Sequence, residues 1–189
     1  FEHDIKTATQ QIRGHDTIFI CNPNNPTGNI IPAADLEQLC RSHKDVNFVI
    51  DESYLMFADG LNTQSMIRSP LPNVMVLNSM SKFFGIPGLR IGFLISSPAI
   101  IKKFRTHLLP WSVNSLAQIA VNYLMKQPAE VKHFIENTVK FIAQEKDMLF
   151  ETFKNSSFVK LYPSRTSFIL ARLYGNLTAD DLGTHLSQD

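Results

Sequence analysis

The chain has 189 residues, 44% of them hydrophobic, and its 18 basic and 17 acidic side chains leave a formal charge of +1. That is enough for one domain of good size, or one domain and part of a second, and the balanced charge gives no footprint for nucleic acid or an anionic membrane. No apolar run reaches the roughly 18 residues of a membrane span, mean hydropathy is -0.05, and Cys21 and Cys40 offer neither a disulfide framework nor a metal-ligand spacing, so a soluble protein of a reducing cytoplasm is expected.

The six histidines are scattered without H-x-x-x-H spacing, which predicts no metal site. The first residue is Phe1 and no signal-peptide pattern follows it, so the chain is expected to begin inside a longer protein.

The polar opening predicts a helix over Ile5–Ile12. Thr17–Cys21, β-branched and aromatic, predicts a buried strand. It runs into Asn22-Pro23-Asn24-Asn25-Pro26-Thr27-Gly28, which is too dense in turn formers to continue a sheet. The prolines restrict that backbone, and the asparagines can bond either the turn itself or a ligand. A loop of this length at a strand end is a candidate binding loop. Pro32–His43 predicts an amphipathic helix with Leu36, Leu39 and Cys40 inward.

Asn47–Ile50 predicts the next strand, ending at Asp51-Glu52-Ser53-Tyr54. An acid at the mouth of an apolar strand is costly to bury without a cation or donor. A protonated ring nitrogen would supply one, and Tyr54 would carry a phenol to the same cleft. The plainer reading is that Asp51 and Glu52 cap a turn.

Asn73–Leu77 predicts a third strand and delivers Asn78–Gly92, N-S-M-S-K-F-F-G-I-P-G-L-R-I-G. Held at a strand end with less water around it, the Lys82 amine is expected to favour the free base that attacks a carbonyl. Ser79 and Ser81 offer hydroxyls, Gly85 and Gly88 allow close backbone approach, and Arg90 supplies a cation that takes two oxygens at once. Together they suit a ligand carrying a carbonyl and a phosphate; the plainer reading makes Lys82 a lysine of a surface turn. Ile91–Ile95 predicts a fourth strand. Ligands of open α/β sheets collect at strand carboxyl ends, where the asparagine loop, the acid and the lysine all converge.

Helices are predicted over Ser97–His107 and Ser115–Met125, broken by Leu109–Asn114. There Trp111 and Asn114 read either as pocket lining or as a packing aromatic and an N-terminal cap. Pro128–Lys154 is periodic at three and four residues and exceeds the usual helix length. Phe158–Tyr162 and Ser167–Leu173 predict strands around the turn Pro163–Thr166, and Thr178–Gln188 a helix with acids in its first turn. The expected organisation is a large-domain portion over 1–127, an inter-domain helix over 128–155 and the start of a smaller domain over 156–189.

N-P-N-N-P-T-G at 22–28, D-E-S-Y at 51–54 and S-M-S-K-F-F-G-I-P-G-L-R-I-G at 79–92 resemble, in order and approximate spacing, the fold-type I pyridoxal-phosphate enzymes of the class I and II aminotransferase superfamily. The likeness is greatest to the histidinol-phosphate aminotransferase and threonine-phosphate decarboxylase branch. It implies an α/β fold, a three-layer, mostly parallel sheet followed by part of a smaller α+β domain, with the chain about half of a complete member. It implies pyridoxal 5'-phosphate held by Lys82 as an internal aldimine, with Lys82 later moving a proton at the substrate carbon. By the same resemblance Asp51 pairs with the pyridinium nitrogen, Asn25 and Tyr54 hold the phenolic oxygen, and Ser79, Ser81 and Arg90 hold the phosphate.

Implied partners are a small amino acid or phosphorylated amine, a 2-oxo acid and a second copy in a homodimer. The family's early part of the phosphate cradle and its late carboxylate-clamping arginine have no match; Arg165 and Arg172 are present, and Arg172 in S-F-I-L-A-R reads as a framework residue. Amino transfer is expected because it is widespread in the superfamily. Ile86-Pro87-Gly88 and Pro110-Trp111-Ser112-Val113-Asn114 look more like the decarboxylase side. A non-catalytic interaction protein on the same fold is the reading from another class, against which Lys82 and Asp51 argue. A nucleotide-binding domain lacks its G-x-G-x-x-G or Walker A sequence.

Overall fold

The computed structural model describes residues 9–10, 12, 17–58, 64–176 and 178–187. The helix expected over Ile5–Ile12 lies outside these except for Thr9 and Gln10, which are helical, and Ile12. Strands β1 (Thr17–Cys21), β2 (Asn47–Asp51), β3 (Val74–Ser79) and β4 (Gly92–Ser96) form one sheet in that order. The first three are parallel and β4 runs antiparallel to β3. Gly92 opens β4 because a Cβ there would lie 2.8 Å from the Asn78 carbonyl oxygen.

The register sets Ile20, Ile50, Val76 and Ile95 abreast, on the face covered by α1 (Ala33–Ser42) through Leu36, Leu39 and Cys40. Each fully buried aliphatic or aromatic side chain of this core contributes about 1.5–3 kcal/mol. Buried Asn73, just ahead of β3, donates to the carbonyls of Cys40, His43 and Val46 at 3.1, 3.1 and 2.9 Å. It thereby satisfies the free end of α1 and holds it against the sheet. β1 is not the buried strand its composition predicts. Ile18 and Ile20 pack on the core, but Phe19 on the opposite face is 72% exposed. As an edge strand β1 alternates, and only one of its faces meets α1.

Three helices follow: α2 (Pro98–Arg105), α3 (Ser115–Lys126) and the 26-residue α4 (Pro128–Phe153). Asn114 caps α3, its Oδ1 accepting from the Ala117 N–H at 2.9 Å, while its Nδ2 donates to the Leu89 carbonyl at 2.9 Å. The cap is therefore real, but Trp111 is 96% exposed and packs as no core aromatic does. Among the described residues α4 packs on the 3-10 turn Leu55–Phe57 and on β5 (Val159–Leu161). β5 pairs antiparallel with β6 (Ala171–Leu173), a shorter pair than predicted, and α5 (Ala179–Leu186) starts at a Thr178–Asp181 capping box.

Candidate functional site

Cys21, Asp51 and Leu77 lie side by side in the ladder, so the loops after β1, β2 and β3 leave the sheet along one edge. The pairing extends one step into them: the Asn22 N–H donates to the Asp51 carbonyl at 2.9 Å and the Glu52 N–H to that of Leu77 at 2.8 Å. The neighbouring strand thus fixes the first residue of each of the first two loops.

The three asparagines of the first loop have separate duties. Asn22 is fully buried and spans the loop base, with Nδ2 donating to the Ile31 carbonyl at 3.0 Å and Oδ1 accepting from the Ile31 N–H at 2.8 Å. Asn24 braces the turn by donating to Thr27 Oγ1 at 2.9 Å. Asn25 is exposed, and its side chain has no hydrogen bond to a described residue. The turn-or-ligand ambiguity of the sequence is resolved by position: two asparagines build the loop and one is left facing outward.

Asp51 and Glu52 also divide. Both hydrogen bonds from described residues to the Asp51 carboxylate fall on Oδ1, from the Ser53 N–H at 2.9 Å and the Ser53 hydroxyl at 2.5 Å. Oδ2 receives none from a described residue. Burial, and then the Asp51 charge, pushes the Cys21 thiol up, as the shared sheet position of these two residues requires. Glu52 is 1% exposed and turns the other way. Its Oε2 accepts from the Ser65 hydroxyl at 2.6 Å and its Oε1 from the Met66 N–H at 2.6 Å. Burial raises its carboxyl above the usual range although both donors pull it down. Asp51 therefore caps its own turn through one oxygen, whereas Glu52 ties down the segment at Ser65 and Met66, 13 and 14 residues away, rather than the turn it sits in.

Lys82 is exposed, which corrects the expectation of a strand-end amine short of water. β3 ends at Ser79, and the turn after it carries Lys82 past the last rung of the ladder. Its Nζ lies 5.4 Å from the centroid of the Tyr54 ring, so the lysine and phenol segments do meet. The Ser81 N–H donates to Ser79 Oγ at 3.2 Å, and Ser81 is buried within the same turn. Arg90 has a left-handed backbone, φ 54, and its Nη1 donates to the Pro87 carbonyl at 3.2 Å. Its guanidinium is folded onto its own turn, and among the described residues it bonds neither serine. A Cβ on Gly85 or Gly88 would meet nothing within 4 Å.

An aromatic cluster supports this turn, and motif reading passes over it. Phe83 is buried and lies 4.8 Å from Phe57 and 5.9 Å from Phe134 of α4, while Phe84 stacks on Phe134 at 5.8 Å. Tyr54 meets Phe168 edge-on at 5.0 Å. The signal in the sequence is the Phe83-Phe84 pair directly after Lys82 and a phenylalanine on the periodic face of the long helix.

Two clefts, of about 330 and 350 Å³, lie along α4 and include none of Asp51, Tyr54 or Lys82. Among the described residues no histidine, cysteine and carboxylate group has the arrangement of a metal site, and no helix is long and apolar enough to cross a membrane.

The donor set fits pyridoxal phosphate. An amine stands over a phenol ring, a carboxylate at the end of the adjoining strand has one oxygen that no described residue bonds, and the Asn25 amide of the neighbouring loop has no hydrogen bond to a described residue. Two hydroxyls share the lysine's turn. Residues 1–188 match the family model described as aminotransferase class I and II. The chain is 32% identical over 174 residues to the histidinol-phosphate aminotransferase of Thermoanaerobacter pseudethanolicus, covering 91% of this chain and 47% of that protein. The crystal structure of L-threonine-O-3-phosphate decarboxylase from Porphyromonas gingivalis superposes with a TM-score of 0.80 at 29% identity, over 92% of this chain and 52% of the other. The histidinol-phosphate aminotransferase of Sinorhizobium meliloti in complex with pyridoxal-5'-phosphate shares the fold, with a TM-score of 0.78 at 21% identity over 92% and 47% of the two chains. The chain spans about half the length of the relatives it matches.

Proposed function

Because the chain belongs to the class I and II aminotransferase family, near the branch of histidinol-phosphate aminotransferases and threonine-phosphate decarboxylases, we propose that the whole protein is a pyridoxal-phosphate-dependent aminotransferase. It moves an amino group between an amino acid or phosphorylated amine and a 2-oxo acid. The observation that carries this reading is the approach of Lys82 to the ring of Tyr54, three residues after Asp51, whose Oδ2 no described residue bonds, with both segments leaving the same end of the sheet.

When bound, pyridoxal phosphate supplies an electron sink for charge developing at the substrate carbon that bears the amine. The chain's own residues do the rest. Lys82 holds the cofactor through its Nζ and then moves the proton at that carbon, a general-base role worth about 10²–10⁴-fold in rate. Asp51 Oδ2 accepts from the protonated ring nitrogen, and Ser53 holds the carboxylate by its other oxygen so that Oδ2 stays presented. The Tyr54 hydroxyl and the Asn25 amide donate to the phenolic oxygen. Ser79, Ser81 and Arg90 bind the phosphate, which requires the Arg90 guanidinium to leave the Pro87 carbonyl. In this reading 1–127 belongs to the large cofactor domain, 128–155 to the linking helix and 156–189 to the smaller domain, and the enzyme acts as a homodimer in the cytoplasm.

Decarboxylation of L-threonine phosphate is the second reading, favoured by the likeness to the Porphyromonas gingivalis decarboxylase. Glutamate or carbon dioxide as product separates the two. The cofactor reading is tested by borohydride reduction of the full-length protein with pyridoxal phosphate, followed by peptide mapping. A pyridoxyl group on Lys82 is expected; the group on another lysine, with Lys82 unmodified, overturns the assignment.

A further inference from the structure

Resting on that reading, we propose that Arg165 is a specificity-determining residue that binds the phosphate monoester at the far end of the substrate from its reacting amine.

Arg165 lies on the turn between β5 and β6, and that turn is rigid. The Thr166 N–H donates to Ser164 Oγ at 3.1 Å, the two hydroxyls lie 2.9 Å apart, and Thr166 is fully buried. From α4, Lys146 Nζ donates to the Ser164 carbonyl at 3.0 Å. The turn is also fastened to the site on two sides. The Arg165 N–H donates to the Gly28 carbonyl at 2.9 Å, three residues along the loop from Asn25. Gly28 comes so close that a Cβ there would lie 2.0 Å from Ser164 Oγ. On the other side, three residues after Arg165, Phe168 packs on Tyr54, over whose ring Lys82 Nζ lies.

The side chain between these two fastenings is exposed and makes no ion pair or hydrogen bond with a described residue. Arg41 is paired with Glu37, Arg90 is bonded to Pro87 and Arg172 lies over the Tyr174 ring, while Arg68 and Arg105 share with Arg165 the lack of such a contact among the described residues; what sets Arg165 apart is the fastening of its turn to the loop of Asn25 and to Tyr54. A guanidinium takes two phosphate oxygens in one plane. With its backbone already pinned, Arg165 has only side-chain freedom to lose on binding.

The test uses the full-length protein loaded with pyridoxal phosphate, wild type and the variants Arg165→Ala and Arg165→Lys. Calorimetric binding is measured for L-threonine phosphate and L-histidinol phosphate and for their unphosphorylated parents. The link to Gly28 runs through the backbone N–H, so both variants should keep the wild-type melting temperature and cofactor spectrum. Arg165→Ala should weaken both phosphorylated ligands about 10- to 100-fold and leave the parents unchanged, with Arg165→Lys in between. Equal weakening of parent and phosphorylated ligand, or no weakening of either, overturns the proposal alone. A wild-type protein that retains no cofactor overturns this proposal and the reading beneath it together.

Discussion

The Glu52 carboxylate is held out of water between the Ser65 hydroxyl and the Met66 N–H, and burial is the larger influence on its proton. Because its folded pKa is raised, the folded chain keeps this proton at pH values where the unfolded chain has lost it. The resulting stability is fully present below the ordinary glutamate value of 4.5 and is lost as pH rises through the raised value. Glu52→Gln keeps an oxygen for Met66 and offers an N–H to Ser65, so it should flatten that part of the stability profile. Denaturant unfolding at successive pH values checks this, and an unchanged slope in the variant contradicts it. Glu52→Ala strands the Met66 N–H beside a cavity and should cost about 2–4 kcal/mol. The sequence places two adjacent acids at a strand end but does not show their division of labour. Successive residues there point to opposite sides, and only the packing of Ser65 and Met66 reveals which side is covered.

Phe134 is a contact by which α4 meets the turn of Lys82, edge-on to Phe83 and stacked on Phe84. Each such pair contributes about 0.5–1.5 kcal/mol beyond area burial, so Phe134→Ala should lower stability by about 1–3 kcal/mol. It should also loosen the Lys82 turn, read as faster loss of pyridoxal phosphate on dialysis. Unchanged retention would confine Phe134 to packing. The elements themselves are legible in the sequence: Thr17–Cys21 has the predicted bounds, and α4 ends one residue short of its reading. Apolar runs and periodicity report local geometry well. They do not report which face a neighbour covers, and so the burial of β1 and the shielding of Lys82 both differ from expectation. The closeness of Gly28 to Ser164 is illegible for a related reason, since these residues are far apart in sequence and meet only when the β5–β6 turn docks on the loop after β1.

Across the whole molecule, three segments that are separate in sequence reach one sheet edge because β1, β2 and β3 are parallel and in register. The β5–β6 turn then closes on them from beyond α4. That convergence is legible in the order of the motifs along the chain. Arg165 belongs to no motif and acquires a role only through its neighbours. Whether this edge, with Lys82 at its centre, holds pyridoxal phosphate is read from a visible absorption scan of the full-length protein with added cofactor. A visible band is expected that shifts on adding L-threonine phosphate, or L-histidinol phosphate, and that is missing in a folded Lys82→Ala variant. No band with excess cofactor, or the same band in Lys82→Ala, would contradict the Lys82 assignment.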